Sequence, residues 1–295
     1  MKKIVVLSFV AVLALALAFF PRIKGASTSK LAAVTNNVLA PTAKADGLPD
    51  LIVREDTLGQ QWVVRDEDLP ANFCSVQEGN VTPGVRRILR FTVMTGNVGT
   101  ADLNLGDPNE HIAAGDGLYE FASCHGHYHF KNYATYQLVD PNTGKVWRAA
   151  KRGFCMLDTD PNPAWYGMAP KNWQFRSCGR VGIPGNQGIS AGWTDTYRFT
   201  LGGQYFVLDG GDGQPVVPAG TYVIRIVANP PFVAKKGEAC PQKDPNGFCH
   251  TLPESNYDNN VATATIQISD HPGRDGVGPL KGSATENEVP EHCGN

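Results

Sequence analysis

Tyr133-Ala134-Thr135-Tyr136-Gln137-Leu138-Val139 runs straight into Asp140-Pro141-Asn142-Thr143-Gly144. The first stretch is short and rich in aromatic and β-branched residues, and the second is a cluster of turn formers, so the pair reads as a strand and the turn that ends it. The same unit recurs on both sides. Ile88-Leu89-Arg90-Phe91-Thr92-Val93 is followed by the turn signal Gly96-Asn97-Val98-Gly99, and residues 195–201, 221–228 and 261–268 are further strand-like runs bounded by Gly, Pro, Asn or Asp. No long stretch sustains a 3.6-residue apolar period. The pattern predicts an all-β fold, a β-sandwich with long irregular disulfide-linked loops and little helix. The longest irregular segments are about 157–192 and 230–256, a length that in a compact domain marks function or cross-linking.

Outward from this core, the chain divides by composition. Lys2 and Lys3 precede an unbroken apolar run from Ile4 to Phe20. That layout makes residues 1–24 a signal peptide or an N-terminal membrane anchor. Ala43-Lys44-Ala45 has a cleavage-site form but lies far downstream, and no Cys follows the run to carry a lipid. Either reading puts the rest of the chain outside the cytoplasm, secreted or anchored through residues 4–20. Residues 25–47, rich in Ser, Thr, Ala and Asn, read as a flexible linker. The folded domain is expected over 48–269, and 270–295 as a polar, Gly-rich tail. Of the 295 residues, 42% are hydrophobic and 9% aromatic, which is enough for a real core. The formal net charge of −2 gives no basis for nucleic-acid binding.

Seven cysteines lie in the exported part: Cys74, Cys124, Cys155, Cys178, Cys240, Cys249 and Cys293. In an oxidising compartment most should pair, and the odd total leaves at least one free or bonded to another molecule. There is no C-x-x-C pair to suggest a thiolate zinc site or a thioredoxin-type motif. Cys240 and Cys249 are near enough in sequence to close a small loop. Asn80-Val81-Thr82 fits the glycosylation sequon, a triplet common by chance.

The sharpest chemical feature is Ser123-Cys124-His125-Gly126-His127-Tyr128-His129. Three histidines stand at i, i+2 and i+4, so on a strand their imidazoles share one face. Neutral imidazoles suit copper, zinc, nickel or iron. A flat strand would hold the outer two roughly 13 Å apart at about 3.3 Å per residue, too far for ligand bonds of about 2 Å. The backbone must bend, and Gly126 permits it.

Cys-His-x-His-Tyr-His followed by a Tyr-rich strand resembles the copper motif of the lysyl oxidases. The resemblance continues in order along the chain: Lys151-Arg152-Gly153-Phe154-Cys155-Met156-Leu157-Asp158-Thr159, then Gly188-Ile189-Ser190-Ala191-Gly192-Trp193-Thr194-Asp195-Thr196-Tyr197, then Gly220-Thr221-Tyr222 with Asn229-Pro230, then Glu254-Ser255-Asn256-Tyr257-Asp258-Asn259-Asn260. It covers about residues 48–269. It implies copper bound by His125, His127 and His129, and a self-derived cofactor, lysine tyrosylquinone, made by joining Lys151 to Tyr197. It implies copper- and quinone-dependent oxidation of primary amines, most plainly peptidyl lysine, by dioxygen to aldehyde, ammonia and hydrogen peroxide. The quinone would carry the chemistry, with the protein tuning it. Asp195, two residues before Tyr197 and on the same strand face, is the candidate proton-abstracting base. Familiar members carry a His just after the copper motif, whereas Asn132-Tyr133-Ala134-Thr135-Tyr136 has none.

The resemblance also implies a calcium site from Asp50, the Leu51 carbonyl, Glu254, Asn256, Asn259 and Asn260, an oxygen-rich set suited to a hard cation. Asn256 replaces an Asp of the family, which removes one charge. It further implies a Cys124–Cys178 disulfide. Asp160 stands where the family has the partner of Cys155, so Cys155 either pairs with Cys74 or Cys293 or is a buried free thiol. Two rival readings keep the fold but not the oxidase: a non-catalytic extracellular copper- and calcium-binding module, and a zinc hydrolase using the same three histidines.

Overall fold

Gly220–Ala228, the longest strand among the described residues, pairs antiparallel with Val261–Ile268 from Gly220↔Ile268 to Val227↔Val261. Every second residue of Val261–Ile268 is buried, so one face of this sheet is core and the other is solvent, as a period-two pattern dictates. Ala134–Val139 and then Val146–Arg148 complete the sheet on the other side. The turn between them is the one read from 140–144. The Asp140 carboxylate accepts from the Asn142 N–H and the Thr143 hydroxyl, and Gly144 closes the turn at φ 70°.

A second four-stranded sheet runs in the order Leu51–Val53, Val93–Asn97, Trp193–Tyr197, Asp160–Pro161. A three-stranded sheet joins Tyr205–Val207, Gly84–Phe91 and Trp62–Leu69. The inward faces of all three meet in one hydrophobic core, where Leu51, Val93 and Phe91 pack with Tyr136, Leu138, Ile224, Ile226 and Ile266. Facing sheets around a shared core are the layered β arrangement expected, and among the described residues helix is confined to three short pieces, Glu55–Gln60, Cys74–Gly79 and Pro108–Ala114. A chain of aromatic rings crosses the layers. Phe206 stacks on Phe91 at 4.7 Å, Phe91 meets Tyr136 edge-on at 5.5 Å, and Phe154 touches both Tyr136 and Tyr197.

The computed structural model describes residues 47–162 and 174–273, all within one compact unit. The expected export segment, most of the linker, most of the tail and Cys293 lie outside the described residues. Among these residues no helix is long and apolar enough to cross a membrane.

Three readings of the sequence need correction. The run 88–93 is two strands, Gly84–Phe91 and Val93–Asn97, because Thr92 turns aside to donate its N–H to the Gln61 carbonyl and accept the Phe199 N–H. Gly96 and Asn97 are strand residues rather than a turn. The Asn162 side chain occupies the space a Cβ at Gly96 would need, and Asn97 uses its amide to bind the Asp50 and Gly99 N–H groups and the Ala101 and Ile189 carbonyls. The start of the expected tail is built into the fold, since Gly273 pairs with Val64.

Candidate metal centre and active site

The three histidines belong to a hairpin, Tyr119–Ala122 with His127–Phe130. His127 and His129 sit on its second strand, and both are buried. His125 is not on the strand: it lies in the connecting turn, where Gly126 takes the left-handed conformation at φ 71°. The bend that a flat row of ligands required is therefore present. It brings the ring centres to 5.4 Å for His125–His127, 5.2 Å for His125–His129 and 5.0 Å for His127–His129. Three converging imidazoles, two of them withdrawn from solvent, are a donor set that fits copper or another borderline-soft ion.

Lys151 and Tyr197 come from segments 46 positions apart, yet the Lys151 ammonium nitrogen stands 4.7 Å from the centre of the Tyr197 ring and 5.8 Å from that of Phe154. Tyr197 is buried on the strand Trp193–Tyr197, with its hydroxyl donating to the Cys155 carbonyl at 2.9 Å and its ring perpendicular to Phe154. The segment after Lys151 lies against the histidine hairpin. Phe130 and Phe154 form an antiparallel bridge, and a Cβ at Gly153 would collide with the His129 ring. Close approach of backbone to ring is the physical reason for glycine there. The chain thus brings the amine, the phenol and the imidazoles into one neighbourhood. Asp195 is buried on the Tyr197 strand and sits near Tyr133, whose phenol is pushed well up by burial first and by the Asp195 charge second.

The disulfides differ from the expected set. Cys124 bonds Cys74 rather than Cys178, and Cys155 bonds Cys178 rather than Cys74 or Cys293; Cys240 bonds Cys249. The reason is the path of the chain. The helix Cys74–Gly79 carries Cys74 to the histidine turn, while Cys178 lies on the loop that Gln187 clamps, its amide donating to the Tyr128 and Cys178 carbonyls and accepting from the Met156 N–H. Cα separations of 5.4 and 5.5 Å suit both bridges.

The oxygen-rich motif folds into a corner that ties the first strand to the last. Asn259 donates to the Asp50 carboxylate at 2.9 Å, Asn229 and Asn260 donate to Glu254 Oε1 at 2.6 and 2.7 Å, and the Leu51 N–H donates to Glu254 Oε2 at 2.6 Å. Leu51 therefore meets Glu254 through its N–H. Asn256 is turned to its own backbone, accepting from the Asp258 N–H. Burial pushes the Glu254 carboxyl up to about 8, and the Asp50 charge adds to this against the three donors. Among the described residues, the buried Asn259 and Asn260 side-chain oxygens have no hydrogen-bond partner. Two carboxylates and two unpartnered amide oxygens fit a hard cation such as calcium.

Reasoning from sequence missed Glu78, whose Oε1 lies 2.9 Å from His125 Nδ1. The signal was indirect: Glu78 is four residues beyond Cys74, whose partner immediately precedes His125. The role of Asn229 in the Glu254 corner was missed in the same way.

The layered β fold thus carries an imidazole cluster that fits a metal beside a lysine–tyrosine pair. Residues 66–239, more than half of the chain, match the family model described as Lysyl oxidase, and the chain belongs to that family. It is 29% identical over 199 residues to Lysyl oxidase homolog 3B of Danio rerio, covering 64% of this chain and 22% of that protein. It is 27% identical over 242 residues to Lysyl oxidase homolog 2 of Homo sapiens, covering 79% and 26%, and 30% identical over 193 residues to human Lysyl oxidase homolog 3, covering 62% and 23%. The matches thus span about a quarter of the length of these relatives.

Proposed function

We propose that this protein is a copper- and quinone-dependent amine oxidase that deaminates primary amines, with peptidyl lysine as the substrate class and dioxygen as the oxidant, and that it works outside the cytoplasm. The observation that carries the reading is the Lys151 amine standing 4.7 Å from the centre of the buried Tyr197 ring. Family membership and the converging histidines support it.

His125, His127 and His129 would hold the copper. With copper and the Lys151–Tyr197 quinone in place, the site gains a redox centre and an electrophilic carbonyl for a substrate amine. The chain's own residues prepare for this. The Cys155 carbonyl and the edge of Phe154 fix the Tyr197 ring, so its orientation does not have to be found when Lys151 joins it. Phe154, itself backed by Tyr136, covers that side of the Tyr197 ring against water. Asp195, buried on the same strand face, is the carboxylate proposed to accept the substrate's α-proton. Asp50, Leu51, Glu254, Asn256, Asn259 and Asn260 are the proposed calcium set, with a structural role.

The test is amine-dependent hydrogen peroxide release by the copper-loaded protein, wild type against Tyr197→Phe, with mass spectrometry of the peptides carrying positions 151 and 197. Release that requires both an amine and Tyr197, with a cross-linked Lys151–Tyr197 peptide, is expected. Copper binding with two unmodified peptides and no peroxide from any primary amine would instead make the protein a non-catalytic module. Zinc in place of copper, with hydrolysis and no peroxide, would make it a hydrolase.

A further inference from the structure

Glu78 stands at the histidine cluster and has no part in the function proposed above. Its Oε1 lies 2.9 Å from His125 Nδ1, and one candidate ligand atom each from Glu78, His125 and His129 all fall within 4.8 Å of one another. We propose that Glu78 is a positioning residue of the metal centre: its carboxylate accepts the His125 Nδ1–H, fixes that tautomer, and leaves Nε2 to face the metal. The proposal rests on the reading that the three histidines hold copper.

Of the three rings, His125 is the one whose direction the backbone does least to fix. His127 and His129 are buried on a strand, and the Gly153 backbone packs on the His129 ring. His125 lies in the turn, partly open to solvent, so its ring can swing unless a partner holds it. A carboxylate on the remote nitrogen does this and also raises the basicity of the ligating one.

Glu78 is itself held in place from two directions. Its helix Cys74–Gly79 begins with the cysteine bonded to Cys124, which immediately precedes His125, so helix and turn are covalently in register. At the other end, a Cβ on Gly79 would meet Ala150 at 3.2 Å, and Ala150 is the residue before Lys151. The helix that carries the carboxylate is therefore held against both the ligand turn and the lysine segment. An exposed ion pair on two mobile side chains would have little worth; this one joins elements whose backbones are already tied together.

The experiment is a competition titration of copper(II) alone, against a chromophoric chelator, on the full chain as wild type, Glu78→Gln, Glu78→Ala and His127→Ala, with the copper EPR spectrum of each. Circular dichroism confirms folding. Glu78→Ala should bind copper roughly 10–100-fold more weakly, in the range seen when such outer partners are removed, and its spectrum should broaden into several species. Glu78→Gln keeps an oxygen that accepts the Nδ1–H, so it should restore most of the affinity and a single wild-type-like spectrum. Wild-type affinity in Glu78→Ala, while His127→Ala binds weakly, overturns the proposal and leaves the histidine site standing. Loss in Glu78→Gln equal to that in Glu78→Ala also overturns it, because a charged carboxylate would then be a direct ligand. Unchanged affinity in His127→Ala as well would overturn the histidine site itself.

Discussion

The histidine hairpin takes its three imidazoles from five consecutive residues, whereas the corner around Glu254 joins groups 203 positions apart in the chain, Leu51 to Glu254. The hairpin gets its ligands locally, and its difficulty is direction: one ring must be turned out of a flat row. Gly126 and the Cys74–Cys124 bridge answer that. In the corner amide and backbone N–H donors meet carboxylates, and the difficulty is assembly, because nothing local brings Asp50 to Asn259. Assembly there depends on the Leu51–Val53 strand taking its place against Val93–Asn97. A local cluster can thus be perturbed without loss of the fold, while a long-range one reports on the fold as a whole. The two sites should respond separately to mutation.

The largest break comes from the covalent side. Replacing Cys74 and Cys124 together by Ser removes a link across 50 positions. The chain-entropy relation puts its contribution at about 4 kcal/mol. The denaturation midpoint should fall accordingly. Copper affinity should fall too, since the Glu78 helix is released from the histidine turn, while the Glu254 corner keeps its response to calcium. The shorter Cys240–Cys249 loop, across 9 positions, should cost about 2.7 kcal/mol by the same relation and leave copper affinity alone. Equal copper losses in the two double variants would mean that the bridge stabilises the fold without orienting the ligands.

The converse break is Glu254→Gln. Among the described residues the hydrogen-bond neighbours of the Glu254 oxygens are donors, from Asn229, Asn260 and the Leu51 N–H. Above pH 8, where the Glu254 carboxyl is ionised, a glutamine in its place must point its own NH₂ at one of them, which leaves a buried donor facing a donor at about 2–3 kcal/mol. Calcium should raise the melting temperature of the wild type by mass action and leave that of Glu254→Gln unmoved, with copper affinity the same in both. A variant that still gains stability from calcium would show that the ion binds elsewhere.

The same contrast explains what could be read in the sequence. The strands Ala134–Val139, Gly220–Ala228 and Val261–Ile268 were legible because each has its period and its bounding turns within a dozen residues. The histidine site was legible as a composition, three imidazoles in a row, and even its bend could be inferred at Gly126 from bond lengths. Glu78 and the partners of Cys124 and Cys155 were not, because their placement depends on where the Cys74–Gly79 helix and the 174–187 loop settle in three dimensions. Gly96 misled for a related reason: glycine signals a turn locally, but here it makes room for the Asn162 side chain in the middle of a sheet. Lys151 and Tyr197 had no local signal as a pair; only the ordered resemblance joined them, and in the fold Phe154 and the Cys155 carbonyl, just after Lys151, meet the Tyr197 ring and hydroxyl.

The smallest expected effect tests the hairpin's bend directly. Gly126 is at φ 71°, and a Cβ built there meets nothing within 4 Å. Gly126→Ala therefore adds no clash, and its whole cost is the left-handed backbone, about 1 kcal/mol. If copper needs the turn in this conformation, the loss of affinity is bounded by that strain, about 5-fold at 1 kcal/mol. Asparagine tolerates the same backbone, so Gly126→Asn should recover most of both stability and affinity. An alanine variant as stable and as tight for copper as the wild type would mean that the three rings converge without this turn, and the bend would have to come from the strand itself.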